Sequence, residues 1–175
     1  MHRLFLALRP PGPIRDLLAA AMHGVAGVRW QDDDQLHLTV RYIGEVDGRT
    51  AEDAAVALGG IDVPAITARI AGVGAFDNAL WAGVAPAEPL AALHRKADRA
   101  LAAAGLEPER RAYRPHVTLG RMPRSMAGSV EVRSWQVRHA ALASDPISFD
   151  RLVLYESRLG REGASYEAVA FRKLA

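Results

Sequence analysis

Two pseudo-symmetric lobes built from strands and helices are what this sequence predicts, on three observations. A strand–helix–strand pattern occurs twice along the chain. Each copy ends in the same tetrapeptide, His-x-Thr-x, at His37-Leu38-Thr39-Val40 and at His116-Val117-Thr118-Leu119. The spacing also matches: 32 residues separate Phe5 from His37, and 35 separate Trp81 from His116. Two copies are too few to stack as a solenoid. The halves are therefore expected to face each other within one two-lobed domain spanning 1–175.

The elements follow in order. Residues 3–8 (RLFLAL) are a compact apolar run stopped by Pro10 and Pro11, which predicts a strand. A helix begins near Pro13, a residue tolerated in the first turn. It carries Ile14, Leu17, Leu18 and Met22 at helical spacing and ends near Gly24. Trp30 and an acidic turn, Asp32 to Asp34, lead to a strand over 36–43 that Gly44 closes. Residues 49–58 predict a helix ending at Gly59-Gly60, and 65–75 a strand ended by Gly72 and Gly74.

The second half repeats the scheme. A short strand over 79–85 is followed by a helix from Pro89 to about Ala104, with Leu90, Leu93, Ala97 and Leu101 on one face and Gly105 after it. Residues 115–121 (PHVTLGR) predict a strand. A loop over 122–130 and three further strands, 131–138, 147–156 and 166–172, complete the chain.

Composition narrows the function classes. The chain has 175 residues, half of them hydrophobic, enough for a real core. It has no cysteine, which removes disulfides, thiolate zinc sites, iron–sulfur clusters and cysteine nucleophiles together. A net charge of +2 and a pI of 9.3 allow a polyanionic partner without demanding one. The apolar stretch before Arg9 is too short for a signal peptide and no segment is long enough to span a membrane, so a cytoplasmic protein, expected to be a monomer, is the simplest reading.

The two His-x-Thr pairs carry the chemistry. Side chains alternate along a strand, so His and Thr two apart share one face while Leu38, Val40, Val117 and Leu119 fall on the other. With six His and four Thr in the chain, chance gives about 0.14 such pairs. Two, each in an apolar strand at the same place in a repeated unit, point to a site. Imidazole serves as acid and as base near neutral pH. Two of them flanking a phosphorus atom, with two hydroxyls for its non-bridging oxygens, suffice to open a cyclic phosphate with no metal and no cofactor.

The sequence resembles the two-histidine phosphoesterase superfamily. More closely it resembles the RNA 2',3'-cyclic phosphodiesterases, also called 2'-5' RNA ligases. The likeness rests on RLFLAL at the start, LHLTVRYIGE at 36–45, ALWAGV at 79–84, RPHVTLGR at 114–121, and LVLYESRL at 152–159 with Tyr166 beyond. It implies an α+β fold with mainly antiparallel sheets around a central cleft, helices outside and both motifs facing the cleft. It also implies hydrolysis of RNA 2',3'-cyclic ends to 2'-phosphates, with His37 as proton donor and His116 as acceptor. The residues alone do not assign those roles. The expected partners are RNA ends or nucleotides bearing a 2',3'-cyclic phosphate, tRNA halves among them, because some members join halves through a 2'-5' linkage.

Further candidates are weaker. Similar proteins have a phosphate-contacting arginine at the position of Arg121; strict alternation puts it on the wrong face unless Gly120 hosts a bulge. Arg41 continues the polar face of the first motif, as a phosphate ligand or a solvated residue. Phe5 and Trp81, equivalent in the two units, read as base-stacking platforms or as core packing. Tyr155, Ser157 and Tyr166 border the expected cleft. His23 and His94 read as surface or capping residues on helices, and Asp32–Asp34 as a solvated turn. Arg110, Arg111 and Arg114 form either a mouth for RNA phosphates or a solvated loop. Three alternatives stay open: 2'-5' ligation or a small-nucleotide substrate, a non-catalytic RNA-binding module, and metal-assisted hydrolysis with the histidines as ligands.

Overall fold

The computed structural model describes residues 1–175. Nine strands and four helices follow one another as β1 (His2–Leu8), α1 (Gly12–Ala19), β2 (Arg29–Trp30), β3 (Leu38–Val46), α2 (Gly48–Gly59), β4 (Ile66–Phe76), β5 (Ala79–Ala85), α3 (Ala87–Ala103), β6 (His116–Arg121), α4 (Val130–Arg138), β7 (Ile147–Phe149), β8 (Arg151–Gly160) and β9 (Gly163–Lys173). All pairings are antiparallel, and the strand order is β7-β4-β5-β6-β3-β1-β8-β9 with β2 added to β6. The sheet is thus two half-sheets of four strands, β3-β1-β8-β9 and β7-β4-β5-β6, joined only where β3 meets β6. The α+β fold of two antiparallel halves is the predicted one.

That joint is a single residue pair, Leu38 with Val117. Both side chains are fully buried. Beyond this pair the strands part, and a cleft opens between the halves. The core under the joint is one cluster of 32 buried residues, running from Leu4, Leu6 and Leu8 through Leu38 and Val40 to Leu80, Val117 and Leu119. Helix α3 buries Leu90, Leu93, Ala97 and Leu101, the face its 3.6-residue periodicity predicts. Asp47 caps α2 by accepting from the Thr50 N–H at 2.7 Å. None of the helices is long and apolar enough to cross a membrane.

Several predicted boundaries move. The segment 131–138, expected as a strand, is α4. Its valines and near-alternation resemble a strand pattern. The decision falls instead to Ser129, which caps the helix by accepting from the Val132 N–H, and to Val132 and Trp135, three apart and both buried. The Trp135 indole N–H donates to the Ala21 carbonyl at 2.8 Å, tying α4 to the turn after α1. Helix α1 stops at Ala19 rather than near Gly24, so His23 lies in the loop beyond it. Helix α3 starts at Ala87, two residues before Pro89. The expected strand 147–156 is broken at Asp150 into β7 and β8. Gly44 and Gly72 do not end their strands. Each takes a positive φ, +92° and +74°, beside a slip in register, so each marks a bulge. Gly74 lies inside β4, where a Cβ would run into the Trp81 ring; only glycine leaves that indole a seat.

Candidate active site in the cleft

The joint between the half-sheets organises everything around it. Leu38 is paired with Val117 in antiparallel register. His37 and Thr39 flank Leu38, and His116 and Thr118 flank Val117, so the two motifs meet at the joint. Both histidines and both threonines line one cavity of about 630 Å³.

The two rings are held alike. The Nδ1–H of His37 donates to the carbonyl of Gln35 at 2.7 Å, and that of His116 to the carbonyl of Arg114 at 2.6 Å. In each case the acceptor lies two residues upstream. This bond fixes the tautomer and leaves Nε2 as the free ring nitrogen. Gln35 is itself anchored: its side chain accepts from the Asp32 N–H and donates to the Ala164 carbonyl at 2.6 Å, linking the turn before His37 to β9. Aromatic rings support both imidazoles. His37 sits 4.7 Å from Phe5 and meets Tyr166 edge-on at 5.1 Å. His116 meets Phe76 edge-on at 5.3 Å.

This packing sets the electrostatics. Burial lowers the His37 pKa to about 4, against the opposing pull of the Gln35 carbonyl and with help from the positive charges of Arg121 and Arg9. His116 is lowered too, again by burial first, with Arg121 adding to it. The enclosure thus favours the neutral form of both imidazoles. Tyr166, raised by burial, is held back by Arg121 and Arg29.

Arg121 reaches the cavity because β6 is bulged. Thr118 pairs with Trp81 and Gly120 with Leu80, so Leu119 is an extra residue and the alternation shifts by one. The Gln31 N–H takes up the Leu119 carbonyl at 2.8 Å. Gly120 is needed there: a Cβ would come within 2.6 Å of Val28 and 2.9 Å of Trp30. The guanidinium is exposed and has only a long bond to Asn78 at 3.5 Å.

The structure corrects the readings of four residues. Arg41 lines the cavity but is no free cation. It is 5% exposed, and its three nitrogens donate to the Asp98 carboxylate at 2.7 Å and to the carbonyls of Tyr42 and Glu107. Alternation placed it on the polar face; a slip in register between β1 and β3 beside it, with an acid waiting on α3, turned it inward. Phe5 lines the cavity too but is 4% exposed, its ring covered by His37 and by Tyr155 at 5.4 Å. It supports His37 and offers no face to a base. Trp81 is not on the cavity wall at all, since it is packed over Gly74 with Phe76 5.6 Å away, and Phe76 takes the wall position. His94, expected on the surface, is buried beneath the cleft, donating from Nδ1 to the Val40 carbonyl and stacked on Tyr113 at 4.5 Å. Tyr113 in turn donates to the Thr39 carbonyl at 2.9 Å. No periodicity marked Phe76 or Tyr113 for the site; each reaches it from the end of a strand or from a loop.

The Arg41–Asp98 pair holds this floor together. Burial works to raise the Asp98 pKa, but the Glu109 N–H and the Arg41 guanidinium beside it hold it below the usual carboxylate value. Asp98→Ala leaves the Arg41 charge buried without its partner. Because Asp98 keeps a fifth of its side-chain surface in water, the expected loss is about 2–4 kcal/mol, toward the lower end for a broken buried pair. Urea unfolding followed by fluorescence checks it, and a loss under about 0.5 kcal/mol would remove the pair from the structural account. No group of three or more His, Asp or Glu side chains is placed to hold a metal ion.

With the geometry in place, known proteins can be compared. The model of the 2'-5' RNA ligase superfamily matches residues 10–160. The chain belongs to the 2'-5' RNA ligase superfamily. An RNA 2',3'-cyclic phosphodiesterase of Aeropyrum pernix is a superfamily relative at 28% identity over 172 residues, covering 86% of this chain and 95% of that protein. One of Methanocaldococcus jannaschii is 25% identical, covering 95% and 98%. The fold of the superfamily is shared with Escherichia coli LigT crystallised with 3'-AMP: TM-score 0.81, 23% identity, 99% of this chain and 98% of that one.

Proposed function

We propose that the protein is an RNA 2',3'-cyclic phosphodiesterase that uses His37 and His116 as an acid–base pair, without a metal ion, and leaves a 2'-phosphomonoester. The observation that carries this reading is the matched setting of the two imidazoles. Each has its Nδ1 tied to the carbonyl two residues back and its Nε2 free, and both line one cavity together with Thr39 and Thr118. The names of the archaeal relatives support the same activity.

In the proposed reaction the phosphorus lies between the rings. Nε2 of His116 accepts a proton from water as the water oxygen attacks phosphorus opposite O3'. The Nε2–H of His37 protonates O3' as the P–O3' bond breaks, and the phosphate stays on O2'. One water is consumed and one P–O bond replaces another. His116 finishes protonated and His37 neutral, and exchange with solvent resets the pair. Thr39 and Thr118 donate to the non-bridging oxygens, where charge builds, and Arg121 balances the negative charge. The donor and acceptor roles follow the resemblance noted above. Joining RNA halves through a 2'-5' linkage would be the same step with an RNA 5'-hydroxyl attacking phosphorus in place of water, O3' again leaving.

The test is an RNA oligonucleotide ending in a 2',3'-cyclic phosphate, incubated with the protein in excess chelator. A 2'-phosphate end is expected. A 3'-phosphate, or activity that disappears in chelator and returns with zinc or manganese, would overturn the scheme.

A further inference from the structure

We infer that the cleft holds a second subsite, formed by Tyr42 and Arg111, for the nucleoside that precedes the cyclic-phosphate end. The inference rests on the phosphodiesterase reading and names its substrate class: an oligonucleotide rather than a mononucleotide.

The cavity does not stop at the phosphate-facing groups. From the level of the histidines it continues along β1, and its wall takes in Tyr42, Arg111 and Arg3. Thr39 is level with Ala7, and Arg3 lies four residues further along the same strand, a distance of about 13 Å. A cavity of about 630 Å³ lies near the middle of the range for small-molecule sites.

What lines this arm is flat and open. Tyr42 is 44% exposed on the cavity wall, unlike Phe5 and Tyr166, whose rings pack against His37, and Tyr155, which stacks on Phe5. The Arg111 side chain is 82% exposed, with a long contact to Glu109 at 3.5 Å as its one ion pair. A phenol ring and a planar guanidinium are the two side-chain surfaces on which a base stacks with little sequence preference.

The arm is also preformed. Arg41 donates to the Tyr42 carbonyl, to the Glu107 carbonyl and to Asp98. Asp98 accepts the Glu109 N–H at 3.0 Å, and Glu109 accepts the Arg111 N–H at 3.2 Å. One buried ion pair therefore fixes the backbone of both walls, which lowers the cost of ordering them around a ligand. The buried Arg41, unavailable to the phosphate, acts here as a positioning residue.

The experiment compares kcat/KM for a 2',3'-cyclic mononucleotide and for a dinucleotide ending in the same cyclic phosphate. Tyr42→Ala and Arg111→Ala are expected to lower kcat/KM about tenfold or more on the dinucleotide and to leave the mononucleotide rate within twofold. Equal losses on both substrates, or no loss on the dinucleotide, would overturn the subsite and leave the phosphodiesterase reading standing. A wild-type protein that opens neither substrate removes both.

Discussion

His37→Ala and His116→Ala are each expected to lower kcat for opening a cyclic-phosphate RNA by about 10²–10⁴-fold, with the double variant little worse than the weaker single one. The argument is geometric. The two rings are set at one strand joint and share one cavity, so each completes a step that the other begins. Once the base is gone, an intact acid has no attacking hydroxide to serve. Multiplicative losses would mean that the rings act on separate steps. Folding is a lesser concern at His116, whose ring borders the cleft, than at His37, which is enclosed by Phe5 and Tyr166. His37→Gln, which keeps a polar side chain of similar bulk, guards against a folding artefact. An RNA-binding module would behave otherwise, keeping its affinity in all these variants with no turnover to lose.

The parts of this site that could be seen in the sequence are those written in strand periodicity. The apolar residues alternating with His37, Thr39, His116 and Thr118 are buried, and the polar ones are not. The helical face of α3 was equally plain. What alternation hides is any place where the register slips. Bulges beside Gly44 and Gly72 keep strands running where glycine suggests an end, the extra residue before Gly120 turns Arg121 toward the cleft, and the slip between Thr39 and Arg41 seats Arg41 against Asp98. The α4 segment reads as a strand because its valines favour one; the Ser129 cap is a local signal that marks the helix start, while the seating of Trp135 against Ala21 is a tertiary fact. His94 and Tyr113 were illegible for a similar reason. Their role is to take up backbone carbonyls of β3 near the point where its pairing with β6 ends, which no local pattern announces.

The pH dependence should carry the signature of this enclosure. Activity requires one imidazole neutral and one protonated, so kcat/KM should be bell-shaped, falling below the lower and above the higher of two apparent pKa values that belong to the pair. In the free protein both are depressed from 6.5, one of them to about 4, which centres the bell between those values and below neutrality. Binding a cyclic phosphate places a negative charge between the rings and favours the imidazolium. The profile of kcat, which reports the bound state, should therefore lie at higher pH than that of kcat/KM. Arg121 supplies the opposite bias, since its positive charge lowers both histidines. Arg121→Met is expected to do two things at once. It lowers kcat/KM by about 10- to 100-fold through loss of a charge-assisted bond to phosphate, and it moves the whole bell to higher pH. The second effect separates electrostatic coupling from simple loss of binding, which lowers the curve without moving it. A bell that stays in place in Arg121→Met would disconnect the arginine from the imidazoles, and a profile with one limb only would mean that a single histidine titrates in the reaction.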